Sequence, residues 1–317
     1  MAAIIETQSL TKVFNGLLAL KELTISIEEG AVVGFIGPNG AGKTTTMRIL
    51  TTLLKPSRGR AWVAGHSVSD DPQGVRRAIG YMPDFFGVYE DMKVWEYLDF
   101  FAACYAIPES TRRGLTADLL ALVDLGHKAD EYVENLSRGM KQRLCLARTL
   151  THDPEVLILD EPASGLDPRA RIEMRELLRE LKNMGKTIFF SSHILSEVAD
   201  ICNQIAILEA GSLVAFGDMA DIRQMLRSQR LVAVRALGPV EALREALAAA
   251  PGVSGLEGGG EDDPAAGSLR FHFAGDDQEL SRMLAGLIQQ GFPIVSFSEQ
   301  AEDLEDVFMQ VTKGVVQ

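Results

Sequence analysis

The chain is short of what a secreted, membrane-spanning or nucleic-acid-binding protein would need. Its three cysteines, Cys104, Cys145 and Cys202, lie far apart in 317 residues and form no CxxC pair. That spacing excludes a disulfide framework and a cysteine metal cluster, and predicts buried thiols in a reducing compartment. Positive charge is in deficit: 31 Lys and Arg against 44 Asp and Glu leave a net charge of −13. Phosphate backbones need a basic face, so nucleic acid is excluded as a partner, while a local basic pocket for a small anion stays open. No apolar run approaches the ~20 residues that cross a bilayer. The start, MAAIIETQSLTKVF, lacks the basic opening and long apolar stretch of a signal peptide. The expectation is a cytosolic chain that reaches any membrane through a partner. Internal repeats are also missing, so each unit occurs once.

What is present is an ordinary globular composition, 46% hydrophobic and 24% charged, long enough for one large domain and a small one. Over the first 220 residues short apolar runs alternate with amphipathic stretches. Residues 31–36 (AVVGFI) are apolar on both faces and end at a glycine, which predicts a central parallel strand. Residues 156–159 (VLIL) and 187–190 (TIFF) have the same character, and 204–208 (QIAIL) resemble them, so a parallel α/β sheet is expected. Residues 3–10, 22–29 and 60–65 alternate polar and apolar, as in an antiparallel layer. Residues 94–105 and 116–125 have helical apolar spacing inside a mostly helical insertion, about 86–150.

After about residue 225 the texture changes. Strands are expected at 231–236, 253–256, 268–273 and 293–297, with helices at 239–250 and 277–290. A glycine- and acid-rich loop, GGGEDDPAAG, precedes the third strand. The order β-α-β-β-α-β, closed by a helix at 301–312, predicts a small α+β domain of the ferredoxin-like, split βαβ kind. The division expected is 1–225 and 226–317.

Four motifs carry the chemistry. Gly37-Pro-Asn39-Gly40-Ala41-Gly42-Lys43-Thr44-Thr45 follows a buried strand and opens a helix, the context that GxxxxGK[ST] requires. Its glycines let successive backbone N–H groups face phosphate oxygens, the helix adds its positive end, Lys43 reaches β- and γ-phosphates, and the Thr44 hydroxyl can ligate Mg²⁺. Asp160 and Glu161 follow the strand VLIL, at the edge where open α/β sheets collect ligands. Asp160 is expected to hold Mg²⁺, and Glu161 to orient and activate the attacking water. His193 alone of five histidines ends a buried strand, where a neutral ring can bond the γ-phosphate and hold the water's geometry. Leu136-Ser137-Arg138-Gly139-Met140 places a serine cap and a glycine at a helix start open to an anion.

Together and in this order, these motifs resemble the nucleotide-binding subunit of an ATP-binding cassette (ABC) transporter, over residues 3 to about 225. GPNGAGKTT is similar to Walker A, VLILDEP to Walker B with its catalytic glutamate, and LSRGM to the LSGGQ signature. Ser164-Gly-Leu-Asp167 resembles the D-loop, His193 the switch histidine, and Phe14 the aromatic that stacks on adenine. The resemblance implies a P-loop NTPase fold, with a RecA-like parallel core, an antiparallel β layer and a helical insertion. It implies ATP and Mg²⁺, and a head-to-tail pair with a second copy or a homologous subunit. Ser137 and Gly139 of one subunit would then meet the γ-phosphate held by Lys43 of the other. A separate integral-membrane permease subunit is implied, with this chain on its cytoplasmic face as an ATP-hydrolysing motor.

The sequence departs from the family pattern at Arg138 and Met140, where Gly and Gln are usual, and at Asp84 in the Q-loop, where glutamine is usual. Aspartate keeps an oxygen for Mg²⁺ but is shorter, charged and without amide donors. It is expected to keep the metal contact and alter coupling. Phe85, Phe86 and Tyr89 either line the groove for the membrane subunit or pack the insertion's own core. The ending EDLEDVFMQVTKG resembles the tail of daunorubicin-resistance-type and sodium-efflux-type ATPase subunits, which favours an exporter and a tail that contacts its dimer mate or regulates closure. The alternatives are a soluble ABC ATPase of translation or repair, or a weakly hydrolysing regulatory subunit. A lone cassette without long coiled coils, an acidic balance and intact Lys43, Asp160, Glu161 and His193 weigh against both.

Overall fold

The computed structural model describes residues 3–85, 87–194, 198, 201–219, 230–237, 240–258 and 268–300. They fall into two compact units on either side of residue 220.

In the larger unit an antiparallel sheet is built from β1 (Ala3–Phe14), β2 (Leu17–Glu28), β4 (Arg58–Val63) and β5 (His66–Ser67), in the order β2-β1-β4-β5. β1 and β2 run beyond the alternating segments seen in sequence, because Ser9 and Glu22 take positive φ and insert register shifts that let the ribbon twist and continue. Conversely, the expected strand 60–65 stops at Val63: Ala64 and Gly65 turn with φ of 49° and 77°. The second sheet has the order β10-β9-β3-β8-β7-β6, from β3 (Val32–Ile36), β6 (Ile79–Met82), β7 (Val156–Leu159), β8 (Thr187–Ser192), β9 (Gln204–Glu209) and β10 (Ser212–Asp218). Its strands are parallel except β10, which pairs antiparallel with β9. Every residue of β3, β7 and β8 is buried, as apolarity on both faces predicts. One core joins the sheets, with Ile5, Leu10, Leu23 and Ile27 packing toward Phe35, Ile158 and Phe189.

Helices α1 (Lys43–Leu50), α2 (Pro72–Ala78), α3 (Val94–Cys104), α4 (Glu109–Leu122), α5 (Arg138–Leu150) and α6 (Pro168–Asn183) complete this unit. α4 begins seven residues before the periodic segment at 116, since its first two turns are polar and exposed and leave no apolar pattern. The expectation of buried thiols fails at Cys104, which ends α3 exposed; Cys145 and Cys202 are buried. α3, α4 and α5 lie between β6 and β7, which nonetheless pair directly, Met82 opposite Leu159.

The smaller unit runs β11 (Arg230–Ala236), α7 (Val240–Ala248), β12 (Val253–Gly258), β13 (Ser268–Phe273), α8 (Asp277–Gln289) and β14 (Ile294–Gln300). Its antiparallel sheet has the order β12-β13-β11-β14. Val232, Val234, Phe271 and Phe273 point to the same side as Leu243, Leu247 and Leu287 of the two helices and form a separate core. α8 is closed at its start by a capping box between Asp276 and Glu279. The expected helix at 301–312, the tail motif, Pro239, Phe86 and most of the GGGEDDPAAG loop lie outside the described residues.

Candidate active site

Four segments that bear chemistry leave the same edge of the parallel sheet. β3 leads into residues 37–42, β7 into Asp160 and Glu161, β8 into His193, and β6 into Pro83 and Asp84. The strands are parallel and in register, Ile36 opposite Ser192 and Leu159 opposite Phe190, so their carboxyl ends gather these side chains.

The first loop is fixed by its glycines. Gly40 and Gly42 have φ of 83° and 106°, and a side chain at Gly37 would collide with the Leu208 carbonyl. Gly42 caps α1 without a side-chain hydrogen bond, and no acid stands in the first turn. The opening N–H groups of the helix are therefore free of side-chain acceptors and face an anion's position. Lys43 is buried, and its Nζ donates to the carbonyls of Gly37 at 2.6 Å and Pro38 at 3.3 Å. The same ammonium lies 3.5 Å from Glu161 Oε1.

Glu161 thus sits between two groups, because its Oε2 lies 2.8 Å from His193 Nδ1. It is 13% exposed and His193 45% exposed. Its backbone is unusual, with φ of 51°, a region that non-glycine residues rarely enter and that costs about 1–2 kcal/mol. Leaving extended geometry directly after β7 frees Glu161 from the alternation that would send neighbouring side chains to opposite faces. Asp160, 1% exposed, donates its backbone N–H to the Met82 carbonyl. One residue that sequence reasoning missed joins these acids. The Ser191 hydroxyl donates to Asp160 Oδ1 at 2.7 Å and accepts the Glu161 N–H at 2.9 Å. Only its place two residues before His193, directly after the apolar run Ile188-Phe189-Phe190, marks it in the sequence.

Asp84 is exposed at the mouth of β6. Its carboxyl is held above the ordinary aspartate value, first by desolvation and then by the charges of Asp160 and Glu161, while Arg138 and His193 oppose the shift. Behind it the Tyr81 hydroxyl is pushed up to about 12 by burial and the Asp160 charge. The site therefore gathers negative charge, and the second oxygen of Asp160 and the hydroxyl of Thr44, the residue after Lys43, are hard donors of the kind Mg²⁺ takes. Among the described residues no three His, Cys, Asp or Glu side chains converge to hold a metal by themselves. A divalent cation here needs water and ligand oxygens as well, which is how Mg²⁺ accompanies phosphates.

The other predicted residues lie elsewhere. Phe14 is 41% exposed at the tip of the β1–β2 hairpin, one face of its ring covered by Lys12 Nζ at 4.9 Å. Tyr89 packs edge-on to Phe100 at 5.4 Å and near Tyr97 and Phe101, against the insertion, whereas Phe85 is 90% exposed. Ser137 caps α5, its Oγ accepting the Met140 N–H at 3.3 Å. A side chain at the buried Gly139 would press on Ala170 of α6. Arg138 does something its sequence position did not reveal. Its Nη2 donates to the Ser164 carbonyl at 3.1 Å, and its guanidinium lies over Gly165, where a Cβ would push the arginine aside. Asp167, also in that segment, caps α6 through Arg169 and Ala170. Among the described residues no hydrogen bond or ion pair joins Ser137 or Gly139 to the loop of Lys43.

Known proteins resemble this chain in sequence and in fold. The ABC transporter family model matches residues 20–164, and that of the C-terminal domain of DrrA1-3-like ATP-binding proteins matches 217–312. An uncharacterized ABC transporter ATP-binding protein of Synechocystis sp. is 37% identical over 70% of this chain, a span that is 64% of that relative's length. The daunorubicin/doxorubicin resistance ATP-binding protein of Streptomyces peucetius is 34% identical over 97% of this chain and 92% of its own. The Nod factor export ATP-binding protein I of Burkholderia orbicola is 33% identical over 98% and 97%. A solved ATP-binding subunit of an ABC transporter superposes with a TM-score of 0.64 and 31% identity, over 71% of this chain and 93% of that one. A dimeric ATP-binding cassette bound to ADP and Pi superposes at 0.62 over 68% of this chain and 98% of that one; at 24% identity it speaks for the fold alone.

Proposed function

The chain belongs to the family of ABC transporter ATP-binding proteins, an ATP-binding and ATP-hydrolysing subunit, and from that premise we propose that it is the motor of an exporter. The observation that carries the site assignment is the meeting of Lys43, Asp160, Glu161 and His193 at one sheet edge. Gly37, Asn39, Gly40, Ala41, Gly42, Thr44 and Thr45 cradle the phosphates of ATP by backbone N–H and hydroxyl donors, Lys43 neutralises β- and γ-oxygens, and Phe14 offers its uncovered face to adenine. Thr44 and Asp160, with Asp84 at the rim, would hold Mg²⁺, which when bound would supply charge neutralisation for phosphoryl transfer. Glu161 accepts a proton from the attacking water, and His193 holds the glutamate's other oxygen and so its direction.

Within one chain Ser137 and Gly139 are not joined to the phosphate loop, which supports a head-to-tail pair, either of this chain or with a homologous subunit. Binding ATP closes the pair and hydrolysis reopens it. The likeness to a drug-resistance ATP-binding protein and a Nod factor export ATP-binding protein over nearly the whole chain supports export. In that reading a separate integral-membrane permease carries the substrate, and this chain docks on its cytoplasmic face. Residues 1–225 form the ATPase domain and 226–317 an accessory domain; the βαββαβ order of the latter supports a ferredoxin-like assignment.

Mixing two full-length variants, Lys43→Ala and Ser137→Phe, tests the composite site. Each alone is expected to be inactive, and the mixture to regain hydrolysis, because the mixed dimer keeps one intact pair of half-sites. Two inactive variants that still bind one another and recover nothing would sink the head-to-tail arrangement.

A further inference from the structure

β8 carries three buried hydroxyls, Thr187 at its start and Ser191 and Ser192 at its end. Ser191 has no solvent exposure and Ser192 has 3%. A buried hydroxyl is unfavourable unless its hydrogen bonds are made, and those of Ser191 are both made to the catalytic acids rather than to its own sheet. Their direction is fixed by chemistry. A hydroxyl has a single proton, and the Glu161 N–H can only donate, so Ser191 Oγ accepts there and sends its own proton to Asp160. Asp160 Oδ1 is thereby oriented by Ser191, and the second oxygen is left clear of that bond for a cation or its water.

The partner at the other end needs holding. Glu161 stands in the left-handed region at φ 51° without being glycine, and such residues persist where the surroundings over-determine them. The hydrogen bond from its N–H to a fully buried oxygen is such a constraint, and it acts at the residue whose side chain spans Lys43 and His193. From these contacts we infer that Ser191 is a positioning residue for hydrolysis. It ties one oxygen of Asp160 to the backbone turn that aims Glu161, without touching nucleotide or water itself. Ser192 acts on the other side of His193, where its Oγ accepts the Ile194 N–H at 3.0 Å and shapes the chain as it leaves the strand.

The inference rests on the roles proposed for Asp160 and Glu161, and its test separates the two. In the full-length chain, Ser191→Ala removes both hydrogen bonds, and Ser191→Thr restores them with one added methyl. A small cavity lined by Ser191, Phe190, Pro162 and Met174 borders the position and gives that methyl room. Expected for Ser191→Ala is a kcat lower by about 10- to 100-fold, the range for partners that orient reacting groups. Its KM for ATP stays within about two-fold of wild type, and half-saturation moves to higher Mg²⁺. Ser191→Thr keeps wild-type values. On a Glu161→Gln background Ser191→Ala lowers kcat no further, since its effect on the rate runs through Glu161, while the shift in Mg²⁺ half-saturation persists. A Ser191→Ala enzyme with wild-type kcat overturns the inference. So does one whose kcat, ATP affinity and melting temperature fall together and are not recovered by threonine, because that pattern is general destabilisation. If Glu161→Gln hydrolyses ATP normally, the site assignment itself falls and takes Ser191 with it.

Discussion

Replacing Glu161 by glutamine keeps its size and reach but removes the charge that meets Lys43 at 3.5 Å and His193 at 2.8 Å. Two opposite effects follow. A general base contributes typically 10²- to 10⁴-fold, or about 3–5 kcal/mol of barrier, so single-turnover hydrolysis should fall by at least ~100-fold. Nucleotide binding should instead tighten. With ATP absent, Glu161 partly neutralises the Lys43 ammonium, and the phosphates must displace it. An exposed pair is worth under about 1 kcal/mol and breaking a buried one about 3–5 kcal/mol. Lys43 at 6% and Glu161 at 13% exposure lie between these limits. Taking about 2 kcal/mol gives a Kd for ATP roughly 30-fold lower in the variant. Equilibrium binding without Mg²⁺, where neither protein hydrolyses, measures this directly, and a Lys43→Ala control should erase the gain. A variant that binds ATP no better than wild type would refute the competition between carboxylate and phosphate. One that hydrolyses at the wild-type rate would refute the base.

Three further outcomes concern stability. Gly80→Ala places a methyl 2.5 Å from the Thr149 carbonyl oxygen and 2.9 Å from Leu157, and should cost about 1–3 kcal/mol in urea unfolding, whereas an unchanged midpoint would mean that the strand and helix can part freely. Tyr97→Phe removes the acceptor for the half-buried Arg148 Nη1 at 3.1 Å and should destabilise by about 1–2 kcal/mol, with little effect on the rate of hydrolysis. Asp71 caps α2, and its carboxyl is held below its ordinary 3.8 by the Gly74 N–H and then by His66. A depressed folded value contributes stability above the unfolded value that is lost as pH falls through the folded one. Asp71→Ala should therefore melt lower than wild type at pH 7, and the gap should close as pH falls below 3.8, as followed by circular dichroism.

Much of this was legible from sequence because it depends on local pattern. Strands apolar on both faces announced β3, β7 and β8, and the motifs named Lys43, Asp160, Glu161 and His193 by their places at strand ends. The sequence was silent where the deciding contact is distant. Ser191 is an unremarkable serine until β8 is laid against β7, which brings its oxygen to two acids 30 and 31 residues away. Arg138 reads as a substitution in a helix start, and only packing shows its guanidinium on the Ser164 carbonyl. The length of β1 and β2 was missed for another reason: positive φ at Ser9 and Glu22 breaks the two-residue alternation while the ladder continues. Cys104 escaped burial because its helix ends there, and no periodicity distinguishes the last residue of a helix from those before it.

The close passage of α5 over Gly80 has a mechanical side. α5 is a rod of thirteen residues, about 20 Å long. Its tail bears on Gly80 at Thr149, and its head carries Ser137 and the clasp of Arg138 on Ser164. Gly80 is also four residues from Asp84, so the fulcrum and the loop that faces the catalytic acids share one short strand. Turning such a rod by roughly 5° about its tail swings its head by about 1.7 Å, several times the margin between a made and a broken hydrogen bond. With no side chain on β6 at that point, a small rotation of α5 there would decide whether the contact of Arg138 with Ser164 at its far end is made or lost.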